Sequence, residues 1–135
     1  MKKSVVFLFF SATALASPQD EIFLQAREAF QRGDIVRLDQ RANALEDDHP
    51  LKPYVLYWKL RSHLSDTSPA EIESFLEKNE GTLIADRLRA DWLRQMASRN
   101  EWAAFLREYP KLGTPDTGLA CQASLARLAH NESGV

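Results

Sequence analysis

The chain has 135 residues, of which 44% are hydrophobic and 10% aromatic, and its formal net charge is −2. This composition is sufficient for one small folded domain and excludes a chain that is disordered throughout. The mildly acidic charge lacks the basic field that nucleic acid or an anionic membrane surface would require, so neither is expected as a partner.

The first sixteen residues have the order of a secretory signal peptide. Lysines at positions 2 and 3 precede an apolar run over residues 4–15, and Ala16 completes a small-residue cleavage pattern. The run is shorter than the roughly 20 residues that span a bilayer, although an uncleaved anchor is the alternative. We expect cleavage between Ala16 and Ser17, export to a bacterial periplasm and no membrane attachment afterwards. The mature domain is then 17–135, and loss of two lysines changes its formal charge from −2 to −4.

Beyond the signal peptide, apolar residues recur at helical intervals, and no strand-length segment alternates as a β-strand would. One face of a first helix carries Phe23, Ala26 and Phe30. This helix is expected to end at Gly33, and Asp34 is placed to cap a second helix. The apolar stripe of the second helix comprises Ile35, Leu38, Ala42 and Leu45.

A third and a fourth helix follow the interruption at His49-Pro50. The third is expected to start near Pro53. Its apolar stripe comprises Tyr54, Tyr57, Leu60 and Leu64. The fourth opens at Ser68-Pro69-Ala70-Glu71, a capping box with proline in the first helical position. Its apolar residues are Ile72, Phe75 and Leu76, and Gly81 is placed to close it.

Three more helices complete the pattern. The fifth has an apolar residue at every fourth position: Ile84, Leu88, Trp92 and Met96. The sixth carries Trp102, Phe105, Leu106 and Tyr109. A turn-rich stretch at residues 113–116 leads to the seventh, which is built on Leu119, Ala123, Ala126 and Leu128.

The turns inside successive helix pairs fall near Gly33, Asp66 and Asn100, at a spacing of 33–34 residues. This period is close to that of tetratricopeptide repeats, although the full consensus of that family is missing. Since a single helix pair cannot bury its apolar face alone, neighbouring pairs are expected to stack. The sequence therefore predicts an all-α fold of about seven helices, arranged as a short α-solenoid; a compact bundle is the rival arrangement.

Two blocks of sequence have a more specific pattern. In residues 50–60 a Leu-x-Pro-Tyr-x-x-Tyr motif is formed by Leu51, Pro53, Tyr54 and Tyr57. The block over residues 75–110 includes Leu88, Trp92 and Trp102. In order and spacing these blocks resemble the opening of the superhelical U-domain of soluble lytic murein transglycosylases. The likeness extends from about residue 20 to about residue 110, so these motif residues are expected to be structural.

The resemblance implies a periplasmic role in peptidoglycan turnover. Members of that family cleave the glycan strand between MurNAc and GlcNAc to 1,6-anhydro ends, using a glutamate in a C-terminal lysozyme-like domain. Because this sequence lacks a counterpart of that domain, we expect a non-catalytic scaffold segment that meets peptidoglycan through its parent enzyme. The alternative is a stand-alone periplasmic helical-repeat adaptor that binds a protein or peptide. A severed solenoid would expose its last helix near Leu119, Leu125 and Leu128 and self-associate.

Few residues suggest chemistry of their own. Glu132-Ser133 matches the family's catalytic dipeptide, but we expect Glu132 to be a solvated carboxylate, and no catalytic residue is assigned. The three histidines and one cysteine lack the spacing of a metal site, and no cofactor motif is present. Trp58 is out of phase with its helix stripe and is expected to be the most exposed aromatic for contact with sugars. Arginines and aspartates alternate over residues 86–99, which predicts a solvated, locally paired face.

Cys121 is the single cysteine. Three interpretations are open: a buried free thiol, an intermolecular bridge, or half of a disulfide whose partner is not in this sequence. Family members that have a cysteine near this position can carry another further along the chain. The resemblance therefore implies the third interpretation.

Overall fold

A computed structural model describes residues 16–132, except for the side chain of Glu132. Apart from Ala16, the signal peptide expected over residues 1–16 lies outside this range. The helices are α1 (Pro18–Arg32), α2 (Ile35–Ala44), α3 (Lys52–Ser62), α4 (Pro69–Lys78), α5 (Leu83–Ser98), α6 (Trp102–Glu108), a 3-10 turn (Tyr109–Lys111) and α7 (Thr117–Glu132). Residues 16–132 contain no strand, which confirms the all-α class.

The ends of α1 follow from its capping residues. The Ser17 hydroxyl accepts a hydrogen bond from the Asp20 backbone N–H, and Asp20 accepts one from the Ser17 N–H, each at 3.1 Å. This reciprocal box satisfies two donors that a helix start would otherwise leave free. Gly33 ends α1 with φ of 70°, and Asp34 then accepts from the Arg37 N–H at 3.0 Å to start α2. The predicted boundary at Gly33 and Asp34 is confirmed.

Asn100 repeats the role of Gly33 in a later helix pair. Its φ of 58° lies in the left-handed region, which asparagine tolerates better than most side chains, and it separates α5 from α6. Two other boundary predictions differ from the structure. Ser68 accepts from the Glu71 N–H at 3.3 Å, so only the serine half of the predicted capping box forms. Gly81 has φ of 76° in the turn before α5, whereas α4 itself ends at Lys78 with Asn79 as its cap.

Helix contacts follow chain order. The odd-numbered helices contact one another in series, α1 with α3, α3 with α5, and α5 with α7. Each even-numbered helix also contacts the odd-numbered helix that follows it. Within the pairs, α1 packs closely on α2 and α5 on α6, but α4 packs mainly on α5 and is separated from α3 by a groove.

Within residues 16–132, the buried apolar side chains form two clusters. The smaller cluster joins α1, α2 and α3 around Ala26, Leu38 and Val55. The larger one extends from α3 to α7 and includes Leu88, Leu93 and Phe105, all 0% exposed. Truncation of a leucine or phenylalanine in such a core costs about 2–5 kcal/mol, so these side chains dominate the stability of the fold.

Trp58 packs against both clusters. Its ring lies 5.6 Å from that of Phe23 and 5.5 Å from that of Phe30, measured between centroids. The expectation that Trp58 is the most exposed aromatic is therefore wrong. The helical phase of α3 alone could not show this, because Phe23 and Phe30, the side chains that cover Trp58, belong to α1.

Three residues assigned to apolar stripes are exposed: Ile35 by 40%, Tyr54 by 46% and Leu128 by 61%. Ile35 is in the first turn of α2, beside the end of α1. Leu128 follows the fully buried Leu119 by nine residues, which is two and a half turns of about 3.6 residues, so the two side chains project from opposite sides of α7.

Candidate binding groove between α3 and α4

An open groove of about 500 Å³ separates α3 from α4. The start of α3, at Lys52 and Pro53, lies beside the end of α4, at Lys78 and Asn79, so the two walls run antiparallel. An adjoining cleft of about 280 Å³ continues past Lys59 toward the end of α3 at His63. The combined volume falls in the range of about 300–1,000 Å³ that is typical of ligand sites.

The floor of the groove is apolar. Leu60 and Phe75 are 8% and 6% exposed and lie at its base, and Leu56 is 36% exposed on the α3 wall. The wall residues recur at helical spacing on both helices, so each helix presents one continuous face to the groove. The Ser74 hydroxyl and the Glu71 carboxylate add polar groups to the α4 wall.

Lys52 lines the groove but is committed to the fold. Its ammonium group donates to the carbonyl oxygens of Ala42, at 2.9 Å, and Leu45, at 2.6 Å, and pairs with Asp47 at 3.1 Å. These carbonyl oxygens lie at the C-terminal end of α2, where a helix has acceptors without intrahelical partners. Lys52 therefore caps α2 and is not free to bind a ligand.

Lys59 and Lys78 also line the groove but, unlike Lys52, form no ion pair among the described residues. Lys59 is half-buried on the α3 wall and Lys78 is exposed on the α4 wall. Within residues 16–132, the two lysines that form ion pairs are Lys52 and Lys111, so the charges of Lys59 and Lys78 are left unpaired. The groove thus combines an apolar floor with two uncommitted cations.

The far end of the groove is acidic. Glu71 and Asp66 line it, and Asp39 pairs with the His63 Nε2 at 2.9 Å. His63 is the C-terminal cap residue of α3 and lies half-buried beside α2. Charge along the groove therefore changes from basic near Lys78 to acidic near Glu71.

A buried ionic cluster lies between α5 and the end of α6. Arg89 is 8% exposed, and its Nη1 donates to the Lys111 carbonyl oxygen at 3.1 Å. The buried Glu108 carboxylate pairs with Lys111 at 2.7 Å and lies 3.6 Å from the Arg89 Nε, beyond hydrogen-bonding distance. The predicted solvated face is therefore wrong for Arg89, since the α6 end covers it. The prediction holds for Arg94, which pairs with Asp91 at 3.2 Å.

The motif residues of the resemblance occupy mixed environments. Tyr57, Leu88 and Trp92 are buried in the larger cluster. The remaining motif residues are less buried: Pro53 lines the groove, Trp102 is half-buried, and Leu51 and Tyr54 are exposed. Of the expected cleavage residues, Ala16 is exposed and Ser17 caps α1.

One face of α7 is apolar and uncovered. Leu125 and Leu128 are 53% and 61% exposed, and Cys121 is a free, exposed cysteine one turn before Leu125. The interpretation of Cys121 as a buried thiol is therefore wrong. The other two interpretations, an intermolecular bridge and a disulfide half, stay predictions. Leu119 was expected on the same exposed face but is buried.

In the described part of the chain, two carboxyl groups at helix starts have depressed pKa values. The Ser17 backbone N–H, followed by His49, lowers the pKa of Asp20. The Leu119 backbone N–H lowers the pKa of Asp116; desolvation opposes this effect, and Arg94 adds to it. Hydrogen bonds to a carboxylate favour its charged form, so both groups are helix caps in character.

Other kinds of site were sought over the same range. No three His, Cys, Asp or Glu side chains of residues 16–132 are grouped to hold a metal ion. None of the helices described combines the length and the apolar character needed to cross a membrane. Comparisons with known protein families, curated proteins and solved structures found no match.

Sequence reasoning missed the groove. Lys52, Leu56, Lys59 and His63 lie at helical spacing on α3, as do Glu71, Phe75 and Lys78 on α4. Such a stripe was visible in the sequence, yet spacing alone does not reveal that two helices of a pair stand apart. The gap depends on how both helices pack on α5.

Proposed function

We propose that this chain is a non-catalytic helical scaffold segment of a periplasmic soluble lytic transglycosylase. The proposal is supported by helix contacts in chain order, α1 with α3, α3 with α5 and α5 with α7. In a helical-repeat array, each unit contacts its neighbours along the chain in this way. A short α-solenoid with the proposed U-domain architecture would have this order of contacts.

The resemblance to the transglycosylase family adds a second line of support. Tyr57, Leu88 and Trp92 are motif residues, and all three are buried side chains that join successive helices. A structural motif is expected to be buried in this way. The segment would shape or position its parent enzyme on peptidoglycan, with export directed by residues 1–16.

The uncovered face of α7 also favours a scaffold segment over a self-contained adaptor. A terminal capping helix in a repeat protein is usually polar on its outer side, whereas Leu125 and Leu128 make this face apolar. A following helix would bury it.

Sequencing the transcript that contains this reading frame, through its 3′ end, tests the proposal. We expect the frame, or a frameshifted continuation of it, to encode further helix pairs and a lysozyme-like domain with a catalytic glutamate. A clean stop followed by unrelated sequence would refute the scaffold role and favour the adaptor.

The non-catalytic part is tested separately with purified peptidoglycan sacculi. Residues 17–135 should release no anhydro-muropeptides detectable by mass spectrometry, whereas a full-length lytic transglycosylase should release them in parallel. Release by the isolated chain would show that it carries a catalytic centre of its own.

A further inference from the structure

We propose that a cleft between α3 and α5 binds a phosphate group, as inorganic phosphate or on a small phosphomonoester. The cleft has a volume of about 290 Å³, and its lining residues are Tyr57, Arg61, Arg87, Ala90, Asp91 and Arg94. None of these residues lines the groove between α3 and α4. The site is independent of the scaffold role, so its loss would leave that role untouched.

The residues of the cleft come from one face of each helix. Tyr57 and Arg61 are four positions apart on α3, and Arg87, Asp91 and Arg94 follow one another at steps of four and three on α5. Side chains at these spacings project from the same side of a helix, and α3 contacts α5 directly. The cleft therefore lies along the seam between two helices that the larger buried cluster holds together.

Asp91 holds two guanidinium groups at the cleft. Its Oδ2 lies 3.0 Å from the Arg61 Nε, and its Oδ1 accepts a hydrogen bond from the Arg94 Nη1 at 3.2 Å. Arg94 also pairs with Asp116, and the Arg61 guanidinium lies over the Phe30 ring, 6.0 Å from its centroid. Because a guanidinium has five N–H donors, both arginines retain donors for an anion.

Arg87 adds a positive charge that the fold leaves uncompensated. Its side chain is exposed on α5 and forms no ion pair or hydrogen bond with another side chain of residues 16–132. The other two arginines of the cleft are matched by the two carboxylates that pair with them, Asp91 and Asp116. The cleft thus carries one cation without a counterion, which favours an anionic ligand.

Tyr57 contributes a hydroxyl group that the fold does not use. Its side chain is 4% exposed, yet its O–H has no hydrogen-bond partner among the described residues. The hydroxyl is not sealed inside the protein, because it retains contact with solvent where Tyr57 lines the cleft. Since buried polar groups normally have partners, a ligand oxygen in the cleft is the acceptor that this O–H lacks.

The arrangement of the donors favours phosphate over a carboxylate. Tyr57 and Arg61 approach the cleft from α3, whereas Arg87 and Arg94 approach it from α5. The tetrahedral oxygens of a phosphate can accept from several directions, whereas a single guanidinium matches both oxygens of a planar carboxylate. The volume of about 290 Å³ is at the lower limit of ligand sites, which suits a small anion.

The test is a nuclear magnetic resonance titration of ¹⁵N-labelled residues 17–135 at pH 7 and constant ionic strength, in a buffer without phosphate. The probes are inorganic phosphate, glycerol 3-phosphate and acetate. We expect saturable shifts of the Arg87 and Ala90 amides with both phosphates, and binding of acetate at least about fivefold weaker. Tighter binding of glycerol 3-phosphate would identify an ester as the ligand, and tighter binding of inorganic phosphate the free anion. Equal binding of acetate, or shifts confined to other helices, would overturn the proposal.

A matched pair of variants separates the site from overall charge. Arg87→Gln should weaken phosphate binding about fivefold, because it removes the uncompensated cation. Arg27→Gln removes the same charge from an exposed position on α1, outside the cleft, and should leave phosphate binding unchanged. Equal weakening in the two variants would assign the effect to net charge and contradict the site.

Tyr57→Phe tests the hydroxyl, because phenylalanine keeps the buried ring. We expect phosphate binding about tenfold weaker, since a hydrogen bond to a charged group is lost. The urea midpoint of unfolding should not fall, because the O–H has no partner among the described residues that the change would leave unsatisfied. A lower midpoint with unchanged phosphate affinity would show that the hydroxyl is structural and would refute its contact with the anion.

Discussion

Lys52 is 8% exposed at the start of α3, and its ammonium group contacts the carbonyl oxygens of Ala42 and Leu45 as well as Asp47. The end of α2 has Leu45 as its cap, in an extended conformation, so no left-handed residue folds the chain back over these carbonyls. A lysine ammonium group has three donors on a flexible stem, so from the neighbouring helix it can donate to these carbonyl oxygens. One side chain thereby fixes where α2 meets α3.

Replacement of Lys52 by Met should lower the free energy of unfolding by about 1–3 kcal/mol. Methionine fills a similar volume but leaves two carbonyl oxygens without their donor in a buried position. Lys59→Met, at a half-buried site without an ion pair in residues 16–132, should change stability by less than about 0.5 kcal/mol. Urea unfolding at pH 7 measures both, and similar values for the two variants would contradict a capping role for Lys52.

Asp116 should make the start of α7 sensitive to acid. Its Oδ1 accepts from the Leu119 N–H at 2.8 Å, which holds the pKa of the carboxyl below its ordinary value of 3.8. A depressed pKa in the folded chain stabilises it above pH 3.8, and this contribution is lost as pH falls through the lower, folded pKa. Asp116→Ala should therefore melt at a lower temperature than the native chain at pH 7.

The difference in melting temperature between the Asp116→Ala chain and the native chain should become smaller as pH falls below 3.8. Asp116→Asn is the matched control, because asparagine keeps a cap acceptor but cannot titrate. Its melting temperature should lie between those of the other two chains at pH 7. Thermal scans by circular dichroism at pH 7 and pH 3 check this, and a pH-independent gap would assign the effect of Asp116 to packing alone.

At the scale of elements, α4 stands out among the helices. A groove of about 500 Å³ lies between it and α3, and a second cleft of about 410 Å³ lies on its other side, toward Arg107 and Lys111. Its buried residues Ile72, Phe75 and Leu76 pack mainly toward α5. A helix held along one face has fewer contacts to lose when it opens.

Backbone amides of α4 should exchange with solvent at least about tenfold faster than those in the middle of α5, because local opening of α4 breaks less packing. Leu88 and Leu93, both 0% exposed, provide the protected reference within α5. Hydrogen–deuterium exchange followed by nuclear magnetic resonance gives residue-level rates. Equal protection of Phe75 and Leu88 would mean that α4 opens only when the whole chain unfolds.

Local signals in the sequence were sufficient to predict most element boundaries. Gly33 and Asp34 end one helix and start the next because glycine adopts a left-handed conformation and aspartate accepts from a free N–H. The four-residue spacing in α5 likewise predicted a buried face that includes Leu88 and Trp92. These features depend on residues that are close in the chain.

Features that depend on distant packing could not be predicted in the same way. Trp58 is covered because α1 lies against α3. Arg89 is buried because Glu108, at the end of α6, lies against it. Neither partner is near in sequence, and helical phase alone assigned both residues to solvent. The groove was missed for the same reason, since Leu56 and Phe75 belong to ordinary amphipathic stripes.

At the scale of the whole molecule, α7 presents Leu125 and Leu128 to solvent on the side away from the buried Leu119. Neighbouring exposed leucines on one helix face favour association with another apolar surface. If no further helix covers this face, two copies of the chain should associate through it. Cys121, on the same part of α7, would then lie close to the contact.

Residues 17–135 should self-associate under reducing conditions, and Leu125→Lys combined with Leu128→Lys should raise the dissociation constant at least about tenfold. Both changes remove apolar area from the contact and introduce like charges. Val36→Lys combined with Leu83→Lys, at residues 70% and 66% exposed, adds the same charge elsewhere and should leave association intact. Sedimentation equilibrium measures this, and a native chain that stays monomeric at all concentrations would contradict the role of α7.

Trp58 has a consequence for how the chain unfolds as a unit. The cluster of α1, α2 and α3 and the cluster of α3 to α7 share this one large side chain, which packs against both. Where packed units contact only their neighbours, unfolding is cooperative because those contacts couple the units, and cooperativity weakens when the contacts are few. The Trp58 ring thus couples the two clusters, together with α3 itself, which carries buried residues of both. We expect a chain with a small residue at position 58 to unfold in two separate thermal transitions, with α1 and α2 unfolding first.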